Sequence, residues 1–92
     1  MDPFHLIGRV DSKKSFLDFL EALKLDFEKD RELAKGAPAA PFIDEGPCGW
    51  RNFDLAGFLD AMHAWASDTD ALGEEPSWRA FAEILYGGKI YE

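Results

Sequence analysis

The sequence contains a single cysteine, Cys48, so no intramolecular disulfide framework can staple the chain, and this usage fits a reducing compartment. It contains only two histidines, His5 and His63, far apart and without metal-ligand spacing. Basic residues are scarce after residue 36. Arg51, Arg79 and Lys89 stand there against ten acidic residues, which puts −7 of the chain's net −8 in that part. Phosphate backbones require clustered Lys and Arg, so this charge excludes nucleic acid and anionic membrane and favours a basic partner where a charged partner exists. No apolar run approaches the ~20 residues that span a bilayer. The opening Met1-Asp2-Pro3-Phe4-His5-Leu6-Ile7 lacks the basic and long apolar regions of a secretory signal, so the expected location is cytoplasmic. A glycine-rich phosphate cradle and a Walker pattern are also missing.

What the chain does have is aromatic surface: eight Phe, three Trp and two Tyr in 92 residues. So short a chain makes at most one domain, expected over 1–92, and must build an efficient core. Large aromatic side chains supply that efficiency. An apolar fraction of 47% is that of a globular protein and far above what disorder requires.

Three amphipathic segments organise the sequence. The first is a helix from about Ser12 to Leu33, in which Phe16, Leu20, Leu23 and Phe27 fall on one stripe of a 3.6-residue period. Asp11 or Ser12 can cap it, and Gly36 supplies a stop. The alternating charges of Glu28-Lys29-Asp30-Arg31-Glu32 read as a solvated last turn, and Lys13 and Lys14 oppose the helix dipole. Residues 36–49 read as a Pro/Gly-containing loop, long enough to need anchors, for which Phe42 and Ile43 are the candidates. A second helix, from about Asp54 to Ala66, has Asp54 as N-cap and Leu55, Phe58, Leu59, Met62 and Trp65 as its buried face. A third, from about Ser77 to Tyr86, follows Pro76, buries Trp78, Phe81, Ala82 and Leu85, and is closed by Gly87-Gly88. The fold expected is all-α, a small three- to four-helix domain with a long loop between the first two long helices. Residues 1–10 are expected to be flexible, or to form a short β-pair between Phe4–Val10 and the C-terminal tail.

Candidate chemistry fails on spacing. Asp68-Thr69-Asp70 opens like a calcium loop, but the fifth and twelfth positions hold Leu72 and Arg79 where an EF-hand needs oxygen ligands, and Pro76 interrupts it. His63 has Asp60 one helical turn earlier, yet no nucleophile accompanies the pair. Cys48, between Pro47 and Gly49 in an acidic loop, sits where carboxylates raise a thiol's pKa rather than activate it. Adjacent acids such as Glu74 and Glu75 before Pro76 more often solubilise a turn than run acid–base chemistry. No metal and no cofactor is expected. Trp50 stands apart from the helical stripes, beside Arg51 and Asn52. It packs as a lid over the core or stays exposed as a contact point, the residue type that dominates protein–protein hot spots.

Trp50-Arg51-Asn52, Phe58-Leu59-Asp60-Ala61-Met62 with Trp65, Trp78-Arg79-Ala80-Phe81-Ala82 with Leu85, and Tyr91-Glu92 together resemble a family of short bacterial proteins of unknown function. The resemblance is closest over residues 50–92 and implies a mainly helical domain without implying an activity. The chain departs from that pattern at Arg51, where an acidic residue is common, and in its Pro-rich stretch 37–47. The expected function is a non-enzymatic, acidic protein-binding module, immunity- or antitoxin-like or an accessory protein, that meets a basic partner through Trp50, Arg51, Asn52, Glu74, Glu75 and Tyr91. The alternatives are a metal-binding or enzymatic protein using Asp60, His63, Asp68 and Asp70, and a self-associating structural protein, a homodimer being the simplest case.

Overall fold

The computed structural model describes residues 2–35, 46–70 and 72–91. Four helices follow one another: α1 (Pro3–Ile7), α2 (Lys13–Lys35), α3 (Leu55–Asp68) and α4 (Trp78–Ile90). The fold is all-α, with no strand among the described residues. The expected loop anchors Phe42 and Ile43 lie outside the described residues.

Each helix starts at a side chain that satisfies an amide the first turn leaves without a partner. Asp2 accepts from Phe4 N at 2.9 Å, and Pro3 occupies the first helical position, where a missing N–H costs nothing. Ser12 and Ser15 cap α2 reciprocally, Ser15 N donating to Ser12 Oγ at 3.2 Å and Ser12 N to Ser15 Oγ at 3.0 Å. Asp54 and Ser77 accept from Gly57 N (2.6 Å) and Ala80 N (3.0 Å). Lys14, unfavourable beside the positive end of α2, is matched only by an exposed ion pair to Asp18 at 3.5 Å, an arrangement that contributes little.

The amino-terminal segment forms a short helix rather than the strand considered for it. α1 buries Pro3 and turns Val10 into the core, while Leu6 and Ile7 pack against the same cluster. Arg79 Nη2 donates to Gly8 O at 2.8 Å and ties the segment to α4. Phe4 meets Tyr86 with ring centroids 5.6 Å apart.

The buried stripe of α2 is rotated from the expected one. Phe19 (0% exposed) and Leu23 form its centre, whereas Leu20 reaches the surface. Positions 19, 23, 26 and 30 repeat the i, i+4, i+7, i+11 spacing, but the last two are Asp26 and Asp30, which hides the stripe from a hydropathy reading. Asp30 is 0% exposed, so the supposed solvated turn is the most buried polar position of the helix.

Helix α4 does not end at Gly87-Gly88. It continues to Ile90, and both glycines are buried because α3 crosses there. A Cβ on Gly87 would lie 2.7 Å from Trp65 Cγ, and one on Gly88 would lie 2.7 Å from Phe58 Cε1 and 2.8 Å from Met62 Cγ. The glycines are thus selected by close helix approach rather than by termination. With Ala61 on α3 also buried, these small residues let α3 and α4 pack closely, while Ala82 is buried in the core cluster with Phe19 and Leu23. Trp78 and Phe81 close the other end of the α2–α4 contact against Phe16, at centroid distances of 5.5 Å and 6.3 Å, while remaining partly exposed. Helices α2 and α3 do not pack on each other; α4 and the Trp50 segment lie between them. No helix among the described residues is long and apolar enough to cross a membrane.

Candidate functional site

Two features depart from what a self-contained helical core requires, and both are organised by Trp50. The first is a buried polar clasp. Trp50 is 4% exposed and stacks on Phe58 at 6.1 Å and edge-on to Phe27 at 4.8 Å. Its indole Nε1 donates to Asp26 Oδ2 at 2.8 Å, and the same oxygen accepts from Lys89 Nζ at 2.8 Å. Lys89 is itself buried, its ammonium lying 5.8 Å from the Trp50 ring and 5.4 Å from the Tyr86 ring. A buried ammonium is held only where a carboxylate and aromatic faces compensate its lost hydration, and Asp26, Trp50 and Tyr86 do so. Of the two readings of Trp50, the lid over the core is the one realised.

The neighbours of Trp50 continue the clasp. Arg51 N donates to Lys89 O at 2.9 Å. Asn52 Nδ2 donates to Gly88 O and to Tyr91 O, each at 2.9 Å. These bonds answer the carbonyls that the end of α4 leaves without intrahelical donors. The Trp-x-Asn pattern thus has a structural cause: the indole seals the core, the next amide pairs with α4, and the carboxamide caps it. On the other side, Asp30 accepts from Cys48 N at 2.9 Å and from the Arg31 guanidinium. Gly46 presses so close to Asp30 that a Cβ there would lie 2.3 Å from Oδ1. The turn closes through Gly49 N to Gly46 O at 2.9 Å, with Gly49 at φ 89°, a conformation side-chain-bearing residues rarely adopt. Cys48, half-buried beside the clasp, has its thiol pKa pushed up by burial first and then by the charges of Asp26 and Asp30. It is held as a protonated thiol, a poor nucleophile.

The second feature is an apolar trough between α2 and α3. One stretch, of about 560 Å³, is lined by Leu17, Leu20, Leu23, Phe27, Trp50, Phe58 and Leu85, with Glu21 and Lys24 at its rim. It runs on, past the shared Phe27, Trp50 and Phe58, into about 300 Å³ lined by Asn52, Phe53, Asp54 and Leu55. Leu20 and Leu55, expected to face the core, open onto this side together with Leu17. Leu55 is 72% exposed, Leu17 49% and Leu20 39%, and Leu59, one turn beyond Leu55, is also exposed. Covering each of these leucines is worth roughly 1 kcal/mol, about half the value of burying one completely. Phe53 forms one edge, with the Arg31 guanidinium 3.9 Å above its ring. A larger depression, about 720 Å³, lies on the other side of the clasp, but Asp2, Asp18, Glu21, Asp26, Lys29 and Lys89 line much of it, so its lining is far more polar than that of the trough.

The site residues expected from sequence therefore separate. Trp50, Asn52 and Tyr91 belong to the clasp at the end of α4, where the Tyr91 hydroxyl also donates to Asp68 Oδ2. Glu74 and Glu75 are exposed in the α3–α4 connection, and Arg51 is exposed next to the clasp. Asp60 and His63 are exposed on α3, and among the described residues no group of three or more His, Cys, Asp or Glu side chains gathers to hold an ion. The residues that sequence reading missed are Asp26, Asp30 and Lys89, together with the leucines of the trough. Their only advance signal was a charged residue at core spacing and a surplus of apolar positions on α2 and α3.

No curated protein and no solved structure matches the chain. Residues 12–92 match a family described as a family of unknown function (DUF7660), so the match takes in α2 as well as the clasp, α3 and α4. The chain belongs to that family.

Proposed function

We propose that this chain is a non-catalytic protein-binding module whose partner is basic, with a small immunity- or antitoxin-like protein as the concrete case. The carrying observation is the trough between α2 and α3, where Leu17, Leu20 and Leu55 present apolar surface that the chain's own helices leave uncovered. Contiguous apolar surface rimmed by polar residues marks interaction sites in soluble proteins. The charge of −8 adds the second ingredient, because a strongly acidic surface steers a basic protein onto it and speeds association. In this reading Trp50 and Asn52 brace the floor, while Glu74, Glu75 and other exposed carboxylates supply the field. Neutralising a partner by occupying its surface needs no reacting group. A thiol held protonated and carboxylates spent on structural hydrogen bonds suit that role.

The test is reconstitution from purified components, after identification of the protein that the chain retains from a cell extract. A basic partner whose association rate falls steeply with salt and with Glu74→Lys/Glu75→Lys, and whose dissociation rate rises with Leu17→Gln/Leu55→Gln, supports the reading. A partner without excess positive charge, or affinity independent of salt, overturns it.

A further inference from the structure

We infer that the trough between α2 and α3 receives one amphipathic α-helix with a basic outer face, and not an extended segment. This rests on the binding-module reading above and specifies its occupant. Both walls of the trough are helices, whose backbone amides and carbonyls are spent on their own ladders. An extended peptide laid against Leu17, Leu20, Leu55 and Phe58 would bury main-chain polar groups with no partners. A helix satisfies its own backbone and presents only side chains. The dimensions suit it: from Leu17 to Phe27 the α2 wall rises about 15 Å, close to three helical turns. Three turns offer apolar residues at i, i+3 or i+4, and i+7, the anchors of helix-in-groove recognition.

Charge chooses between helices of different origin. On the α3 side Asp54 is the charged residue that lines the trough, the charges farther along the helix, Asp60 and Asp68, are also acidic, and Arg31 over the Phe53 edge is paired with Asp30. On the α2 rim Lys24 is paired with Glu28 at 3.7 Å, leaving Glu21 beside the trough. The flanks of the docked helix are thus met by carboxylates and select Lys or Arg there. A second copy of this chain would bring another −8 to the same surface, which argues against self-association as the occupant.

The experiment uses the whole chain and a fluorescein-labelled peptide of roughly 15 residues, leucines on one helical stripe and lysines elsewhere. It is compared with a scrambled peptide of the same composition and with a glutamate version of the striped one, at about 0.15 M salt. The striped basic peptide is expected to bind at least tenfold more tightly than either control and to gain helical circular dichroism on binding. Leu17→Gln/Leu55→Gln, whose sites are exposed so that folding survives, should weaken it about tenfold while leaving the scrambled peptide unaffected. Equal binding of striped and scrambled peptides overturns the helix assignment but leaves a basic partner standing; equal binding of the glutamate peptide overturns the charge assignment. A dimer in light scattering that Leu17→Gln/Leu55→Gln dissociates assigns the trough to a second copy and overturns the inference. Failure of the parent reading looks different: no purified basic protein forms a salt-sensitive complex at all.

Discussion

Replacing Gly87 by alanine sets two effects of opposite sign against each other. Alanine is the better helix former by about 1 kcal/mol, and Gly87 lies inside α4, so propensity alone predicts stabilisation. Packing predicts the reverse. The new methyl would sit 2.7 Å from Trp65 Cγ and 2.9 Å from its Cβ, where an ordinary carbon contact needs about 3.5–4.0 Å. The Cβ is fixed by the Trp65 backbone, so no rotamer change moves it aside. The helices must part by roughly 1 Å, and the neighbouring contacts of Gly88 with Phe58 and Met62 then lose a quarter to a half of their dispersion energy. Overpacking of this kind costs about 1–3 kcal/mol, and with a contact this short we expect a net loss of about 1–2 kcal/mol after propensity is subtracted. With a urea m-value of about 1 kcal/mol/M for a chain this small, the unfolding midpoint should fall by roughly 1–2 M. Gly8→Ala is the internal control. It has φ −65° and nothing within 4 Å of the added Cβ, so it should raise stability by about 0.4–1 kcal/mol. A midpoint that rises in Gly87→Ala as it does in Gly8→Ala would refute the close crossing of α3 and α4.

Three further outcomes follow from the clasp. Asp30→Asn keeps the shape but turns a donor toward either Cys48 N or the Arg31 guanidinium. It should cost roughly 2–3 kcal/mol in urea unfolding and speed hydrogen exchange at the Cys48 amide, and unchanged exchange there would contradict the clasp. Trp50→Ala should cost about 3–5 kcal/mol, a large share of the stability of a domain this size, so a melting temperature within about 5 °C of wild type would place Trp50 outside the core. For Cys48 the sign follows from a raised folded-state pKa: both states hold the proton well below about pH 8.5, and above it the unfolded chain gives it up first. Stability should therefore fall more steeply between pH 8 and 10 in wild type than in Cys48→Ser, a comparison in which the raised Tyr86 and Tyr91 hydroxyls are common to both. Equal slopes would mean that the thiol is not desolvated.

The sequence carried the three long helices because their starts are chemical. Ser12, Asp54 and Ser77 are capping residues ahead of apolar periodicity, and all three cap in the structure. The short α1 escaped notice although Asp2-Pro3 is a helix-start signal, because five residues show too little periodicity to outweigh a loose-terminus or strand reading. The rotation of α2 was hidden by carboxylates on its buried stripe. Whether an aspartate such as Asp30 is solvated or buried depends on the Cys48 amide, far away along the chain. Gly87-Gly88 was misread for the same reason: a local rule sees a helix stop, while the deciding atoms belong to Phe58, Met62 and Trp65 on another helix. The trough was legible only as an excess. α2 and α3 carry more apolar side chains than one shared core absorbs, and only the intervening α4 and Trp50 decide that Leu17, Leu20 and Leu55 face outward. Trp50, readable from sequence either as a lid or as an exposed contact, is buried beneath that surface, bonded to Asp26 and stacked on Phe58.

The most direct test of the account is a leucine-methyl NMR titration of the whole chain with the striped basic peptide. Shifts centred on Leu17, Leu20 and Leu55, with Leu25 and Leu33 unmoved, are the predicted result. Both of those controls are exposed, and neither lines the trough. Shifts centred on Leu25 and Leu33, or none on the α2 and α3 walls, would contradict the claim that this face exists to receive a partner.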